Sequence, residues 1–526
     1  MDKKNLTTEE TFVLAVQNQQ KNNLQIAEKL YKETLKTNPN HVDAYNNLGV
    51  ILLRSGKPQK AKSCYEKAIE INPNYESAHN NLGNALNLLG EHQKAKSCYE
   101  KAIEINPNYA SAHNNLGNAL NLLGEHQKAK SCYAKAIEIN PNYASAHNNL
   151  GNVLNVLEEY QKAKSCYKKA IEINPNHVDS HNNFGTVLQK LGEYQKAKSC
   201  YEKAIEINPN YASAHYNLGA VFKQLGELQK AKNCYEKAIQ IQPNYAEAHN
   251  NLGNIFRKLK EFQKAADYFV RSATALGNAQ FLECTYLSNG VENYNKLLNT
   301  FAEKDPTNLR IAALAAYVST KENIKNIYPF CKKPLDYFFS INLKDEFKFS
   351  DQFSNRLLKI SEKLVSNWQL KTIVKNGHQS TGNLLDNPVL EVAELKKKIE
   401  KQISIYRENY KNSDDYYISR WPTKSRLNGW YIKLKKQGQL KSHMHEEGWL
   451  SGVFYLKIPK PLKINEGSIN LSLQGLDYPY DKSLPNFYYA PKPFDLILYP
   501  SSLFHYTVPF TSNDERHSIA FDVTPK

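Results

Sequence analysis

Residues 75–108 read YESAHNNLGNALNLLGEHQKAKSCYEKAIEINPN, and this stretch returns almost unchanged every 34 residues. Its apolar positions fall at two helical periods. Ala78, Leu82, Ala85, Leu86 and Leu89 form one stripe. Gly90 interrupts it, and Ala95, Cys98, Tyr99, Ala102 and Ile103 form a second. Pro107 ends the unit, because a ring without an N–H cannot continue a helix interior. Each unit is therefore predicted to be two antiparallel helices. One such pair cannot bury its own apolar faces, so neighbouring pairs must stack into an α solenoid.

Working outward, seven units start at His41, Tyr75, Tyr109, Tyr143, His177, Tyr211 and Tyr245, and residues 7–40 read as a degenerate leading unit. Leu82, Gly83, Leu86, Ala95, Tyr99, Ala102 and Pro107 resemble the signature of the tetratricopeptide repeat family. Gly83 and Ala95 are small enough to let the two helices approach closely. One departure is His79, which stands where that family has a large aromatic.

The first helix of each pair is expected to line a concave face. Asn47, Asn81, Asn115, Asn149, Asn183, Asn217 and Asn251 occupy one position of it. A column of carboxamides can donate to and accept from an extended peptide backbone. It resembles the asparagine ladder of the repeats that precede the protein O-GlcNAc transferase catalytic domain, which implies a protein or peptide partner in the concave face. The other reading is polar filler, or bonding between neighbouring repeats. Glycosyl transfer itself is not expected, since about 200 residues after the array show no βαβ pattern. The histidines at 79, 113, 147, 181, 215 and 249 sit one repeat apart, on the order of 10 Å, too far to share a metal at about 2 Å. They are read as packing residues.

Composition bounds the rest. The chain has 526 residues, 41% hydrophobic, with net charge +16. Lysines recurring at repeat positions are read as a solvated face rather than a nucleic-acid surface. None of the eight cysteines forms a Cys-x-x-Cys pair, and six recur once per repeat, so they are read as reduced thiols, the six as small buried core residues. No apolar run approaches the roughly 20 residues of a membrane span. The opening MDKKNLTTEE is not read as a secretory signal, and a cytoplasmic setting is expected. Oligomeric state is left open.

The repeat register fades after residue 278. Residues 279–327 are expected to form a helical cap or linker, and YPFCKKPLDYFF at 328–339 marks the start of a different domain, 328–526. Helices are expected over 351–367 and 388–410, with a loop between them that contains His378, given no role. From about 428 the period changes to two. GWYIKLKK, SGVFYLKI, GSINLSL, DLILYPSS, FHYTVPF and HSIAFDV suggest an antiparallel barrel or jelly roll.

Three features fall on those runs: His443-Met444-His445, then His505, then Arg516. Residues i and i+2 on a strand project to one face, so His443 and His445 can converge on one metal. A histidine from a facing strand completes a set with open positions. Arg516 offers a bidentate fork to a carboxylate. By alternation His517 points away. The segments HMHEEGWLSGVFYLKIP, FDLILYPSSLFHYTVPF and RHSIAFDVTP resemble a family of 2-oxoglutarate/Fe(II)-dependent oxygenases often fused to tetratricopeptide repeats. The resemblance implies an α+β domain with a double-stranded β-helix core. It implies Fe(II) held by His443, His445 and His505, and 2-oxoglutarate held by Arg516 with help from Ser518. The reaction implied is a hydroxylation. Most of the wider superfamily uses a carboxylate ligand, so His445 with Glu447 is the competing register. The leading expectation is a hydroxylase for a polypeptide recruited by the repeats. Alternatives are an oxygenase acting on a small molecule, and an interaction scaffold with an inactive oxygenase-like domain.

Overall fold

The structure is a computed structural model and describes residues 6–347, 350–364, 374–380, 382–461, 463–475 and 478–526. It divides into two compact units, Met1–Ala248 and His249–Lys526. The division falls inside the helix Ala246–Lys258, the first of the seventh repeat.

In the first unit, helices follow one another as hairpins, from Thr8–Gln20 with Leu24–Thr37 to Ala212–Gln224 with Leu228–Ile241. The degenerate leading unit is one of them, and its first helix opens on a capping box of Thr7 and Glu10. In each hairpin of the first unit from Val42–Arg54 onward, the glycine of the first helix meets a buried tyrosine of the second. A Cβ on Gly83 would lie 2.5 Å from Tyr99 Cε1, and Gly117 and Gly151 stand in the same relation to Tyr133 and Tyr167. Tyr99 cannot retreat, because its hydroxyl donates to Asn84 Oδ1 at 2.8 Å. Alanine at 83 gains helix propensity but overpacks this contact. The expected result is a loss of about 1–3 kcal/mol, read as a lower urea midpoint of the array.

Each tyrosine takes the core-facing position, and the cysteine before it lies about 100° round the helix. The six repeat cysteines are therefore half-buried rather than core residues, which corrects the sequence reading. All eight are free, and burial raises the thiols of Cys64 and Cys98 to about 11. The lysine face is likewise more than solvated charge. Lys96, Lys130 and Lys164 each reach the glutamate of the next repeat, Glu125, Glu159 and Glu193, at 3.2, 2.6 and 2.5 Å. The repeat histidines are tied to backbone: His79, His113 and His147 bond the carbonyls of Pro73, Pro107 and Pro141 at 2.9–3.0 Å.

In the second unit, the helix Ala275–Lys304, kinked at Gly290, and the helix Leu309–Lys321 share one core with the sheet domain. Nine strands are described: β1 (Phe339–Asn342), β2 (Val374–Gln379), β3 (Ser425–Leu440), β4 (Leu450–Lys457), β5 (Ile469–Ser472), β6 (Asn486–Tyr489), β7 (Asp495–Pro500), β8 (Phe504–Thr507) and β9 (Arg516–Pro525). They form a six-stranded sheet, β1-β7-β4-β9-β3-β2, and a three-stranded sheet, β6-β5-β8, antiparallel throughout. Helices cover the larger sheet: Ser350–Leu364, of which the expected 365–367 lie outside the described residues, and Leu390–Asn409.

Alternation sorts the side chains into two layers. Leu450, Phe454, Leu498, Ile519 and Phe521 face the helices. Val453, Tyr455, Ile497, Tyr499 and Ala520 pack with Ile469 and Leu471 of the small sheet, between the two sheets. This is the antiparallel, jelly-roll type of packing that the strand pattern suggests, and the double-stranded core that the resemblance implies. The expected loop around His378 is instead β2, an edge strand paired to β3 through a bulge at Asn376.

Candidate metal centre

The three histidines meet between the sheets. His505 comes from β8. His443 and His445 do not lie on a regular strand, contrary to the sequence reading: β3 ends at Leu440, and the chain runs through both histidines before β4 begins at Leu450. It is held there by a bridge in which His443 N donates to His505 O at 3.1 Å and His505 N donates to His443 O at 2.9 Å. The ring centroids are 5.1 Å apart for His443 and His445, 4.3 Å for His443 and His505, and 5.0 Å for His445 and His505. One ligand atom from each lies within 4.8 Å of the others.

Every one of these rings has an acceptor on Nδ1. His443 Nδ1–H donates to Lys441 O at 2.7 Å. His445 Nδ1–H donates to both oxygens of Asp522, at 2.6 and 2.7 Å. His505 Nδ1–H donates to Leu503 O at 3.3 Å. A proton fixed on Nδ1 leaves the Nε2 lone pair for a metal. Burial, with each neighbouring imidazole, favours the neutral form of two of the rings: it lowers His443 to about 4 and holds His505 well below the usual histidine range. Neutral imidazole is the ligand form.

Asp522 was not singled out in the sequence. It lies on β9 at an even spacing from Arg516, so the period of two that places Arg516 and Ser518 on the inner face places Asp522 there too. Ser451 Oγ donates to Asp522 Oδ1 at 2.7 Å and fixes the carboxylate that fixes the ring. Asparagine at 522 keeps the shape and removes the charge. Divalent-metal affinity should fall about 10- to 100-fold, measured by Mn(II) titration, with the far-ultraviolet dichroism unchanged.

The histidines open onto a cavity of about 380 Å³ whose wall includes Trp430, Tyr499, Thr507, Arg516, Ser518 and Asp522. Arg516 is 3% exposed. Its Nη1 donates to Thr507 Oγ1 at 2.6 Å, its Nη2 donates to Tyr455 OH at 3.3 Å, and its Nε has no partner. No carboxylate lies within ion-pair distance of it among the described residues. A buried guanidinium in this condition has the chemistry to receive an anion that presents oxygens in a plane. His517, on the other face, bonds Tyr431 and Glu515, as alternation predicts. Glu447 lines the cavity but is outside the histidine group. Glu446 beside it is held by Arg310 of the helix Leu309–Lys321, at 2.8 Å, so the helical region braces the turn after His445.

The family model described as putative 2OG-Fe(II) oxygenase matches residues 428–522, which contain the three histidines, Arg516, Ser518 and Asp522. Tetratricopeptide-repeat models match residues 42–75, 74–142, 142–210, 178–244 and 210–276. The chain carries tetratricopeptide repeats followed by a putative 2OG-Fe(II) oxygenase domain. Among solved structures, the chain is similar to YrrB, described as a TPR protein with an unusual peptide-binding site, at 30% identity over 35% of this chain and 95% of that one, with a TM-score of 0.30. It is similar to MamA at 25% identity, over 32% of this chain and 97% of that one, TM-score 0.29. It is similar to Pseudomonas aeruginosa pilF at 22% identity, over 39% and 96%, TM-score 0.35. No curated protein matches. The histidine group and the buried arginine fit what the oxygenase family implies, Fe(II) and 2-oxoglutarate. No helix among the described residues is long and apolar enough to cross a membrane.

The repeat asparagines are more committed than the sequence suggests. Asn115 Nδ2 donates to Asn80 Oδ1 at 3.0 Å and to Asn84 Oδ1 at 3.1 Å, both in the preceding repeat. Its own Oδ1 accepts from Asn114 Nδ2 at 3.3 Å. Asn149 and Asn183 repeat the pattern with Asn114 and Asn118, and with Asn148 and Asn152. Asn81 and Asn217 donate to Asn46 and Asn182 at 2.9 Å. Bonding between neighbouring repeats is thus realised. It leaves Asn115, Asn149 and Asn183 one acceptor lone pair each and no free donor. Asn251 falls in the second unit.

Proposed function

We propose that the C-terminal domain is a 2-oxoglutarate- and Fe(II)-dependent dioxygenase that hydroxylates a protein or peptide recruited by the repeats. One observation carries the reading. Three imidazoles with Nε2 free and one buried arginine without a carboxylate partner share a single cavity. His443, His445 and His505 would hold Fe(II), and Arg516, with Ser518, would hold 2-oxoglutarate. When bound, these supply oxidative decarboxylation of 2-oxoglutarate coupled to hydroxylation of an unactivated C–H bond.

The chain's own residues set the conditions. Asp522 orients His445. The Lys441 and Leu503 carbonyls fix the other two tautomers. Arg516 grips a carboxylate with a fork that Thr507 and Tyr455 keep in place. Val453, Ile469 and Ala520 line the same cavity with apolar surface, which excludes water around the reacting atoms. The test uses the full chain prepared without oxygen. Stoichiometric Mn(II) binding, and succinate formed only when Fe(II), 2-oxoglutarate and oxygen are all present, support the reading. A chain that binds no Mn(II) and forms no succinate sinks it.

A further inference from the structure

Three helices of the first unit end on an exposed apolar residue at the same repeat position. Leu88, Leu122 and Val156 are 68, 60 and 54% exposed. Single exposed apolar residues need no explanation, but a column of them 34 residues apart does. Leu88 lies seven residues beyond Asn81 and four beyond Asn84, so at 3.6 residues per turn the three share one face of the helix Glu76–Leu88. Leu122 stands likewise to Asn115 and Asn118, and Val156 to Asn149 and Asn152. An apolar column therefore runs beside the carboxamide column across three successive repeats.

Cations bracket it. The equivalent residues one repeat before and one after are Arg54 and Lys190, both exposed. Arg54 Nη2 donates to Asn22 Oδ1 at 2.9 Å, and Lys190 Nζ donates to Asn155 Oδ1 at 3.1 Å and lies 5.1 Å from the Tyr160 ring centroid. Neither has a carboxylate within ion-pair distance among the described residues, whereas Lys96, Lys130 and Lys164 do.

Period decides what fits. Side-chain hydrogen bonds join the first helices of successive repeats, which places them at ordinary packing separation, about 8–10 Å. An extended strand returns a side chain to one face about every 6.6 Å, so it misses the residue of the next repeat by about 1–3 Å. A polyproline-II helix returns one every three residues, about 9.3 Å, and makes no internal hydrogen bonds. Its backbone N–H groups are free to meet the remaining acceptor of Asn115, Asn149 and Asn183.

We propose that this face binds a polyproline-II segment of a partner protein with an apolar side chain at every third residue and acidic residues at both ends. The proposal rests on the reading that the repeats recruit a polypeptide, and it states which kind.

The test is fluorescence anisotropy of the full chain with labelled EPPLPPLPPVPPE. Controls are the same residues regrouped as EPPPPLLVPPPPE, and the lysine-ended KPPLPPLPPVPPK. Expected results are binding of the first peptide and affinity lower by about tenfold or more for each control. Leu122→Asp, at an exposed position, should weaken the first peptide by at least about tenfold. Arg54→Glu with Lys190→Glu should reverse the preference toward lysine ends. No binding at about 1 mM, equal binding of the regrouped peptide, or unchanged binding by Leu122→Asp overturns the proposal. Mn(II) binding and succinate formation are measured on the same samples. Their survival alongside such a failure confines the failure to the docking face, and their loss tells against the oxygenase reading.

Discussion

Alanine in place of His505 should lower divalent-metal affinity by more than about 100-fold and remove succinate formation, with both units still folded. The loss exceeds that expected for Asp522→Asn because a ligand goes rather than its support. The fold should survive because β8 is held at this point by backbone: His505 N and O carry the bridge to His443, and alanine keeps both. Mn(II) titration followed by electron paramagnetic resonance reads the affinity, and dichroism reads the fold. The same titration decides the ligand register. His443→Ala should behave as His505→Ala does, and Glu447→Ala should bind Mn(II) like the parent, since Glu447 lies outside the group. If Glu447→Ala loses the metal and His443→Ala keeps it, the ligand set is His445, Glu447 and His505 instead.

What the sequence made legible follows from how local each signal is. The repeat hairpins could be read because glycine, tyrosine and proline recur at a fixed period, and each contact such as Gly83 to Tyr99 lies within one unit. The six strands named from alternation are all present. β1, β2 and β6 escaped for separate reasons: Phe339–Asn342 starts on the last residue of the boundary stretch 328–339, Asn486–Tyr489 is exposed without alternation, and Val374–Gln379 carries a bulge. The histidines could be named because their spacing resembles a family. Their placement on a strand was wrong, because where β3 stops depends on the bridge to His505, a contact no local pattern encodes. Asp522 was within reach of the same alternation that picked out Arg516 and Ser518. Bonding between repeats was one of the readings of the asparagine column, but no local pattern could decide it, since Asn115 meets Asn80 and Asn84 across 35 and 31 residues.

Methionine in place of Arg516 should move stability and binding in opposite directions. In the parent, the guanidinium is buried and has hydroxyl partners only, Thr507 and Tyr455, with Nε unpartnered. That arrangement costs desolvation without a compensating carboxylate. An apolar side chain of similar length removes the cost, while Thr507 and Tyr455 each give up a partner. The net expectation is a gain of about 1–2 kcal/mol in the protein without ligands, toward the lower end of what replacing buried ionic groups yields. With Mn(II) present, 2-oxoglutarate at 100 times its dissociation constant should stabilise the parent by about 2.7 kcal/mol. It should leave Arg516→Met unmoved at any concentration tried. Lysine at 516 separates charge from shape: it keeps the cation but loses the fork, so it should be stabilised by 2-oxoglutarate less than the parent and more than the methionine variant. A methionine variant that is less stable than the parent and still responds to 2-oxoglutarate would show that Arg516 is a structural residue and that the co-substrate is gripped elsewhere. The expected pattern would instead mean that the fold gives up stability at Arg516 in order to hold an anion-binding fork ready beside the three histidines.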